Sequence, residues 1–420
     1  MNILRLSYCN MISQPLSTIL SLSLLTLGVG MIALLLTVNS HIQEQMQNNV
    51  RGIDMVVGAK GSPLQLILSA VYHIDDPTGN VPFHELEELQ RNRLVKSAIP
   101  LSYGDSFKGY RIVGTDQQYP KLYDANVSEG RFWQEAFEVT VGYKVAQNLN
   151  LNVGDTFEGS HGLTEEGETH DEHEYLVVGV LDYTNSVLDQ LIITATESIW
   201  KMHQHEESSQ SNKGMTMAND QSINSEHEHG EHHEETHEEE LDITAILVKF
   251  RNPMGLVQLP RMINENTSMQ AAVPIYEISR LFSLMGVGID TLRTIALVIM
   301  AVSGFSLFIN LYNVLRDRQY EMALMRTYGA SRWQLVRLVL YEGLLITITG
   351  FTLGIISSRI GLILLSELME AKYHYSFSML AFGKHESLLL VIALAIGILA
   401  SLIPSIRVYN LNISKTLADA

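Results

Sequence analysis

Residues 294–315 read TIALVIMAVSGFSLFINLYNVL, and residues 316–335 follow directly as RDRQYEMALMRTYGASRWQL. The first run holds no charged side chain and is bounded by Arg293 and Arg316. A hydrocarbon core of about 30 Å takes roughly 20 helical residues, so this run is long enough to span a bilayer. The second run carries arginines at 316, 318, 326 and 332 and belongs in water. A charge-free span feeding a basic loop is the grammar of a multi-pass membrane protein.

Three further blocks share that character. Leu16 to Val38 is charge-free, Leu338 to Leu365 carries only Glu342 and Arg359 near its ends, and Ser387 to Ile406 has Pro404 in its last turn. The two charges of the third block are expected to reach the interfaces. A backbone in lipid must satisfy its own hydrogen bonds, so all four blocks are read as helices. The first is read as a retained anchor rather than a cleaved signal. Its apolar run is long, Arg5 is the only basic residue before it, and no small-x-small site follows Val38.

Short-loop charge sets the orientation. The segment between spans two and three holds Arg316, Arg318, Arg326, Arg332 and Arg337, and the tail holds Arg407 and Lys415. The loop between spans three and four has only Lys372 and Lys384. Both termini are therefore expected in the cytoplasm. The fold expected is four transmembrane α-helices with a large α+β periplasmic domain between helices 1 and 2. Its segments are a cytoplasmic N-terminus (1–15), helix 1 (16–38), the periplasmic domain (39–293) and helix 2 (294–315). A cytoplasmic loop (316–337), helix 3 (338–365), a short periplasmic loop (366–386), helix 4 (387–406) and a cytoplasmic tail (407–420) complete the chain.

The chain has 420 residues and a formal charge of −18, but the charge is local. Acidic inserts at 160–174 and 201–242 hold most of it: 165–174 and 201–242 contain 6 and 12 acidic residues against 0 and 2 basic ones. The acidity belongs to inserts and not to the fold, and nothing favours nucleic acid. The single cysteine, Cys9, precedes the first span, so no disulfide staples the central domain.

Within that domain, Leu86, Leu89, Leu94 and Val95 predict an amphipathic helix from Phe83 that ends before Pro100. Tyr110–Gly114, Phe137–Val141, Glu174–Leu181, Leu191–Thr196 and Ile243–Phe250 read as strands. Residues 145–157, VAQNLNLNVGDTF, read as a short helix, a turn at Gly154-Asp155 and a strand start. The segment Asp54-MVVGAKGSPLQ-Leu66 suggests a phosphate cradle at first sight, but no GxxxxGK[ST] pattern occurs anywhere. It is read as a tight turn into an amphipathic segment that packs on the domain core or the outer leaflet. No G-x-S-x-G elbow and no H-E-x-x-H helix exists, since His84-Glu85 is followed by Glu88 where a second histidine belongs. The chain offers no catalytic constellation and is not expected to be an enzyme.

Seven of the 15 histidines, His203, His205, His227, His229, His232, His233 and His237, fall in the second insert. His161, His170 and His173 lie in the first. Imidazole with carboxylate suits Zn(II) or another divalent transition metal, so these tracts are candidate metal ligands. The competing reading is a solvated acidic spacer.

In the basic loop, Gly329 is a helix stop, and Ser331 with Gln334 has capping-box spacing for the next helix. Glu321-Met-Ala-Leu-Met-Arg326 followed by Gly329-Ala330-Ser331 resembles the cytoplasmic loop of the FtsX-like permease family. These are the membrane subunits of ABC transporters related to MacB and to the lipoprotein-releasing Lol permeases. The helix after Asn10-MISQ-Pro15, Gly142 to Phe157 with Val177-VGV-Leu181, and Pro404-SIRVYNLNISKT-Leu417 resemble the same family, so the likeness spans nearly the whole chain.

The resemblance implies a homodimer, or a heterodimer with a sibling permease, on two copies of a separate cytoplasmic ATPase. Glu321, Arg326, Gly329, Ala330 and Ser331 would then couple to that ATPase. Motion is passed to the periplasmic domain, which acts on a lipoprotein, an exported substrate or a metal-associated protein. The alternative is a regulatory scaffold that activates an envelope hydrolase or senses metal without moving cargo. Expected partners are the ATPase, the second permease, membrane lipids and a periplasmic protein or lipoprotein. Both acidic inserts and the Val56–Gln65 segment depart from the family pattern.

Overall fold

The computed structural model describes residues 6–7, 15–161, 169–202, 241–373 and 384–409. Helix α1 (Pro15–Asn49) leads into β1 (Met55–Ala59), α2 (Pro63–Ala70), β2 (Val81–Pro82), α3 (Phe83–Arg91), β3 (Val95–Phe107) and β4 (Tyr110–Thr115). Then come α4 (Gln118–Leu122), β5 (Val127–Gly130), β6 (Glu138–Val141), α5 (Tyr143–Leu149), β7 (Thr156–His161), β8 (Thr169–Leu181) and β9 (Ile192–Ala195). The rest runs β10 (Asp242–Ile243), β11 (Ala245–Phe250), α6 (Met254–Asn266), β12 (Met269–Ala272), α7 (Pro274–Asp317), α8 (Gln319–Thr327), α9 (Arg332–Tyr373) and α10 (Lys384–Tyr409). Two compact units result, residues 44–282 and residues 1–43 with 283–420.

The 44–282 unit is a mixed domain built on one 10-stranded sheet in the order β12-β1-β11-β3-β4-β9-β6-β8-β5, with β7 pairing β3 and β8. The β4–β9 and β6–β8 pairs are parallel and the other ladders antiparallel. Strands such as Met55-Val-Val and Ala245-Ile-Leu-Val are apolar at every position because both faces are covered. Val56, Ile99, Leu101, Ala245 and Leu247 join the core beneath α2, whereas Met55, Val57, Ala98, Ile246 and Val248 join the one beneath α3 and α6. Farther along the sheet, Ile112, Val139, Val141, Val177 and Ile192 gather with Val145 of α5 in a third core.

One local expectation is revised and one is narrowed to the domain-core alternative. The helix from Phe83 stops at Arg91, and Val95 opens β3, which includes Pro100 opposite Ile246. Leu86 and Leu89 are helical core residues. Asn92 then turns the chain, its Oδ1 accepting from Leu94 N–H at 3.0 Å and its carbonyl from Val95 N–H at 3.1 Å. Spacing alone merged the two elements because Leu94 and Val95 continue the apolar count of the helix. The Val56–Gln65 segment is β1 followed by α2, capped by Ser62, with Leu66, Ile67, Ser69 and Ala70 buried in the domain core. Gly58 makes room for that packing, since a Cβ there would lie 2.5 Å from Leu66 Cδ1.

Among the described residues, the other unit contains four helices long and apolar enough to cross a membrane, α1, α7, α9 and α10. They run past the apolar blocks, α1 to Asn49 and α7 from Pro274, because polar turns continue each helix beyond its lipid-compatible stretch. Leu25, Val29 and Ile32 of α1 pack with Ala296 and Met300 of α7, Phe351 of α9, and Leu389 and Ala393 of α10. The two charges of the third block lie against protein groups. Glu342 is buried, and Arg359 Nη2 donates to Glu386 Oε1 of α10 at 2.5 Å. A charge inside such a bundle is held by a partner because hydrocarbon offers it none.

Candidate functional site

The segment 316–335 folds as the end of α7, the short helix α8 and the start of α9. Arg318 closes the gap between α7 and α8, its Nε donating to Glu321 Oε2 at 2.7 Å. Leu315 of α7, Met322 of α8, Leu335 and Val339 of α9, and Val408 of α10 form one buried knot that fixes α8 to the bundle. Gly329 sits at φ +98, a left-handed conformation that a Cβ disfavours. There Ala330 N–H reaches Met325 O at 3.0 Å and Gly329 N–H reaches Arg326 O at 3.1 Å, closing the C-terminus of α8. Ser331 Oγ accepts from Gln334 N–H at 3.2 Å while Ser331 N–H donates to Gln334 Oε1 at 2.7 Å, a reciprocal capping box that starts α9.

The five candidate residues thus lie on one helix–turn–helix corner but differ in orientation. Glu321 is exposed and held by Arg318. Arg326 turns inward: its Nε and Nη1 are buried without a hydrogen bond among the described residues. Gly329 and Ser331 are exposed and Ala330 half-buried.

What faces outward was not singled out from the sequence. Tyr320, Leu324 and Tyr328 are 50%, 38% and 84% exposed and lie at i, i+4 and i+8, one stripe along α8 and its cap. Met322 and Ala323 are buried on the opposite side. The available signal was apolar residues on both faces of so short a helix, which a globular surface helix does not need. An outward stripe of two tyrosines and a leucine is suited to burial in a groove of a second protein.

A second cluster lies in the 44–282 unit. Tyr103 O–H donates to Ser69 O at 3.0 Å, so His73 donates from Nδ1 to Tyr103 Oη at 2.9 Å. His73 Nε2 then accepts from Tyr119 O–H at 2.8 Å. Tyr123 O–H donates to Asn49 O at 2.9 Å, and the Arg111 guanidinium lies 5.0 Å from the centre of the Tyr103 ring while donating to Asp75 O. Burial holds His73 well below the usual 6.5, with Arg111 adding to the effect. Burial also pushes the phenols of Tyr103, Tyr119 and Tyr123 above their ordinary range. The imidazole and phenols are therefore neutral and sealed from water, an arrangement that ties α2, β3 and α4 together and does not move protons.

Among the described residues no group of three or more His, Cys, Asp or Glu is placed to hold a metal ion. His203, His205, His227, His229, His232, His233 and His237 lie outside the described residues, so the Zn(II) expectation has no counterpart in the structure.

Two family models match the chain. One, described as FtsX-like permease C-terminal, covers residues 293–413 and includes the α8 corner. The other, described as MacB-like periplasmic core domain, covers residues 18–228. Among solved structures, the periplasmic region of MacB from Actinobacillus actinomycetemcomitans is 13% identical, with 56% of this chain and 97% of that chain covered and a TM-score of 0.33. The extracellular domain of the noncanonic ABC-type transporter YknZ from Gram-positive bacteria is 11% identical, with 52% and 98% covered and a TM-score of 0.30. No curated protein matches the chain.

Proposed function

Because the chain belongs to the FtsX-like, MacB-type family of ABC transporter permeases, we propose that it is the membrane subunit that carries ATP-driven motion from a separate cytoplasmic ATPase to a periplasmic domain. In this reading α1, α7, α9 and α10 span the inner membrane, both termini are cytoplasmic, and residues 44–282 stand in the periplasm between spans one and two. The arginines at 316, 318, 326, 332 and 337 keep the α8 corner on the cytoplasmic side. The domain acts on a lipoprotein, an exported substrate or a metal-associated protein, and the permease works as a homodimer or with a sibling.

The exposed Tyr320–Leu324–Tyr328 stripe carries this reading. It sits on a helix anchored by its buried face, closed at Gly329 and joined to α9 by the capping box, so a push on α8 is delivered to a spanning helix. Glu321 and Arg326 position that helix: Glu321 through Arg318, and Arg326 by its inward guanidinium. Hydrolysis resides in the partner, and this chain supplies the seat and the lever.

The test is co-purification of the full-length chain with a co-expressed Walker-motif ATPase from the same organism. Alanine at Tyr320, Leu324 and Tyr328 together weakens association by roughly tenfold or more, as buried aromatic anchors do, and leaves membrane insertion intact. Alanine at Glu321 or Arg326 weakens it less. Unchanged association in all three variants overturns the coupling assignment.

A further inference from the structure

At the α8 end of the helical unit, Arg332 and Trp333 open α9 and Tyr409 ends α10. They share that end because Leu335 and Val408 belong to the same buried knot. The Arg332 guanidinium lies 5.4 Å from the centre of the Tyr409 ring, and the Trp333 and Tyr409 rings are 5.9 Å apart at an interplanar angle of 63°. Among the described residues Arg332 makes no hydrogen bond or ion pair. Its guanidinium is steadied by a ring, and among the described residues its donors are open.

The surroundings are cationic. Residues 311–337 and 400–409 hold six arginines against Asp317 and Glu321, and both acids are paired, Asp317 with Arg316 and Glu321 with Arg318. Trp333 is 65% exposed, and the apolar block of α9 opens at Leu338, little more than one turn farther on. An exposed indole beside a ring-backed arginine, at the water end of a span, matches the border between headgroups and acyl chains.

We propose that Arg332, seated on Tyr409 and flanked by Trp333, binds the phosphate of an anionic phospholipid. The guanidinium fork suits a phosphate diester, whose two free oxygens accept its paired N–H donors, and the rings lie along the glycerol and first methylenes. Arg407, two residues before Tyr409, points to the other flank of Val408, where it lies 4.6 Å from the centre of the Tyr312 ring and bonds the Tyr312 hydroxyl. That guanidinium already has a partner and serves as the internal control. The seat rests on α9 and α10 being spans and is independent of the ATPase coupling.

Trp333 is the only tryptophan of the helical unit, the others being Trp133 and Trp200. The full-length chain is reconstituted in phosphatidylcholine vesicles containing brominated-chain phosphatidylglycerol or brominated-chain phosphatidylcholine, and fluorescence quenching is measured with Trp333→Phe as the blank. Phosphatidylglycerol should occupy the Trp333 site about fivefold more readily than phosphatidylcholine, with the preference falling as salt rises. Arg332→Gln removes the preference, Arg332→Lys retains part of it, and Arg407→Gln leaves it. Equal quenching by the two lipids, a preference that survives Arg332→Gln, or one lost on Arg407→Gln overturns the proposal. If Arg332→Gln does not fold, the wild-type salt dependence decides, and a salt-insensitive preference overturns it. Displacement of the lipid by millimolar inorganic phosphate would assign the seat to a free anion and also overturn it. None of these readouts involves the ATPase, so failure of one proposal leaves the other standing.

Discussion

His73 Nε2 and the Tyr119 hydroxyl lie 2.8 Å apart in the core of the 44–282 domain, and the imidazole accepts that proton because its other nitrogen already donates to Tyr103. The arrangement is stable only while the ring is neutral, since an imidazolium has no lone pair for the Tyr119 proton and would stand near Arg111. His73 also occupies φ +55, so the backbone is bent to place the ring.

A pH dependence follows from that neutrality. The folded-state value of His73 is depressed below 6.5, so above that pH both folded and unfolded chains are neutral and stability is full. As pH falls below 6.5 the unfolded chain takes a proton that the folded chain refuses, and stability drops by up to about 1.4 kcal/mol per pH unit. The loss continues until the depressed folded value is reached. Thermal unfolding of the full-length chain between pH 7.5 and 5 is expected to show this slope, and His73→Gln to flatten it while lowering stability at neutral pH. A wild-type slope retained in the variant assigns the effect to other groups.

Arg359 and Glu386 form a second paired relationship in the helical bundle, with Glu386 buried and Arg359 partly exposed. Removing one partner strands the other charge and is expected to cost about 3–5 kcal/mol, whereas removing both costs much less. Arg359→Leu and Glu386→Leu should each lower the unfolding temperature in detergent, and the double variant should recover most of the loss. Additive losses in the double variant would show that the pair is not coupled.

Gly58→Ala tests the packing of α2 on the sheet. Leu66 is fully buried, so its Cδ1 can move off a Cβ at 2.5 Å only by displacing core neighbours, and the substitution is expected to destabilise the domain by about 1–3 kcal/mol. Chemical denaturation measures it, and a change within about 0.5 kcal/mol, as at an ordinary surface site, would contradict the tight fit.

Much of this architecture is legible from the chain. The four apolar helices follow from length and hydropathy, because lipid leaves the backbone few alternatives. The family is readable from Glu321–Arg326 with Gly329-Ala-Ser, local motifs that survive without long-range information. Ser331 and Gln334 form their capping pair because capping is also local. Long-range relationships are less visible. His73 is an isolated histidine without a motif, and only the fold brings Tyr103 and Tyr119 to its two nitrogens. Arg326, expected to couple to the ATPase, turns inward, while Tyr320, Leu324 and Tyr328, which the sequence did not single out, face outward, because which face of α8 is buried depends on α9 and α10.

The central claim is that the outward face of α8 seats on a cytoplasmic ATPase. Its most direct test places a cysteine at Tyr328, the most exposed residue of the stripe, in a Cys9→Ser background, and applies a short thiol-to-amine crosslinker to membranes containing the partner ATPase. The account predicts a permease–ATPase adduct that is lost when Tyr320 and Leu324 are also replaced by alanine. An accessible Tyr328→Cys thiol that labels freely yet never crosslinks to the ATPase would contradict it.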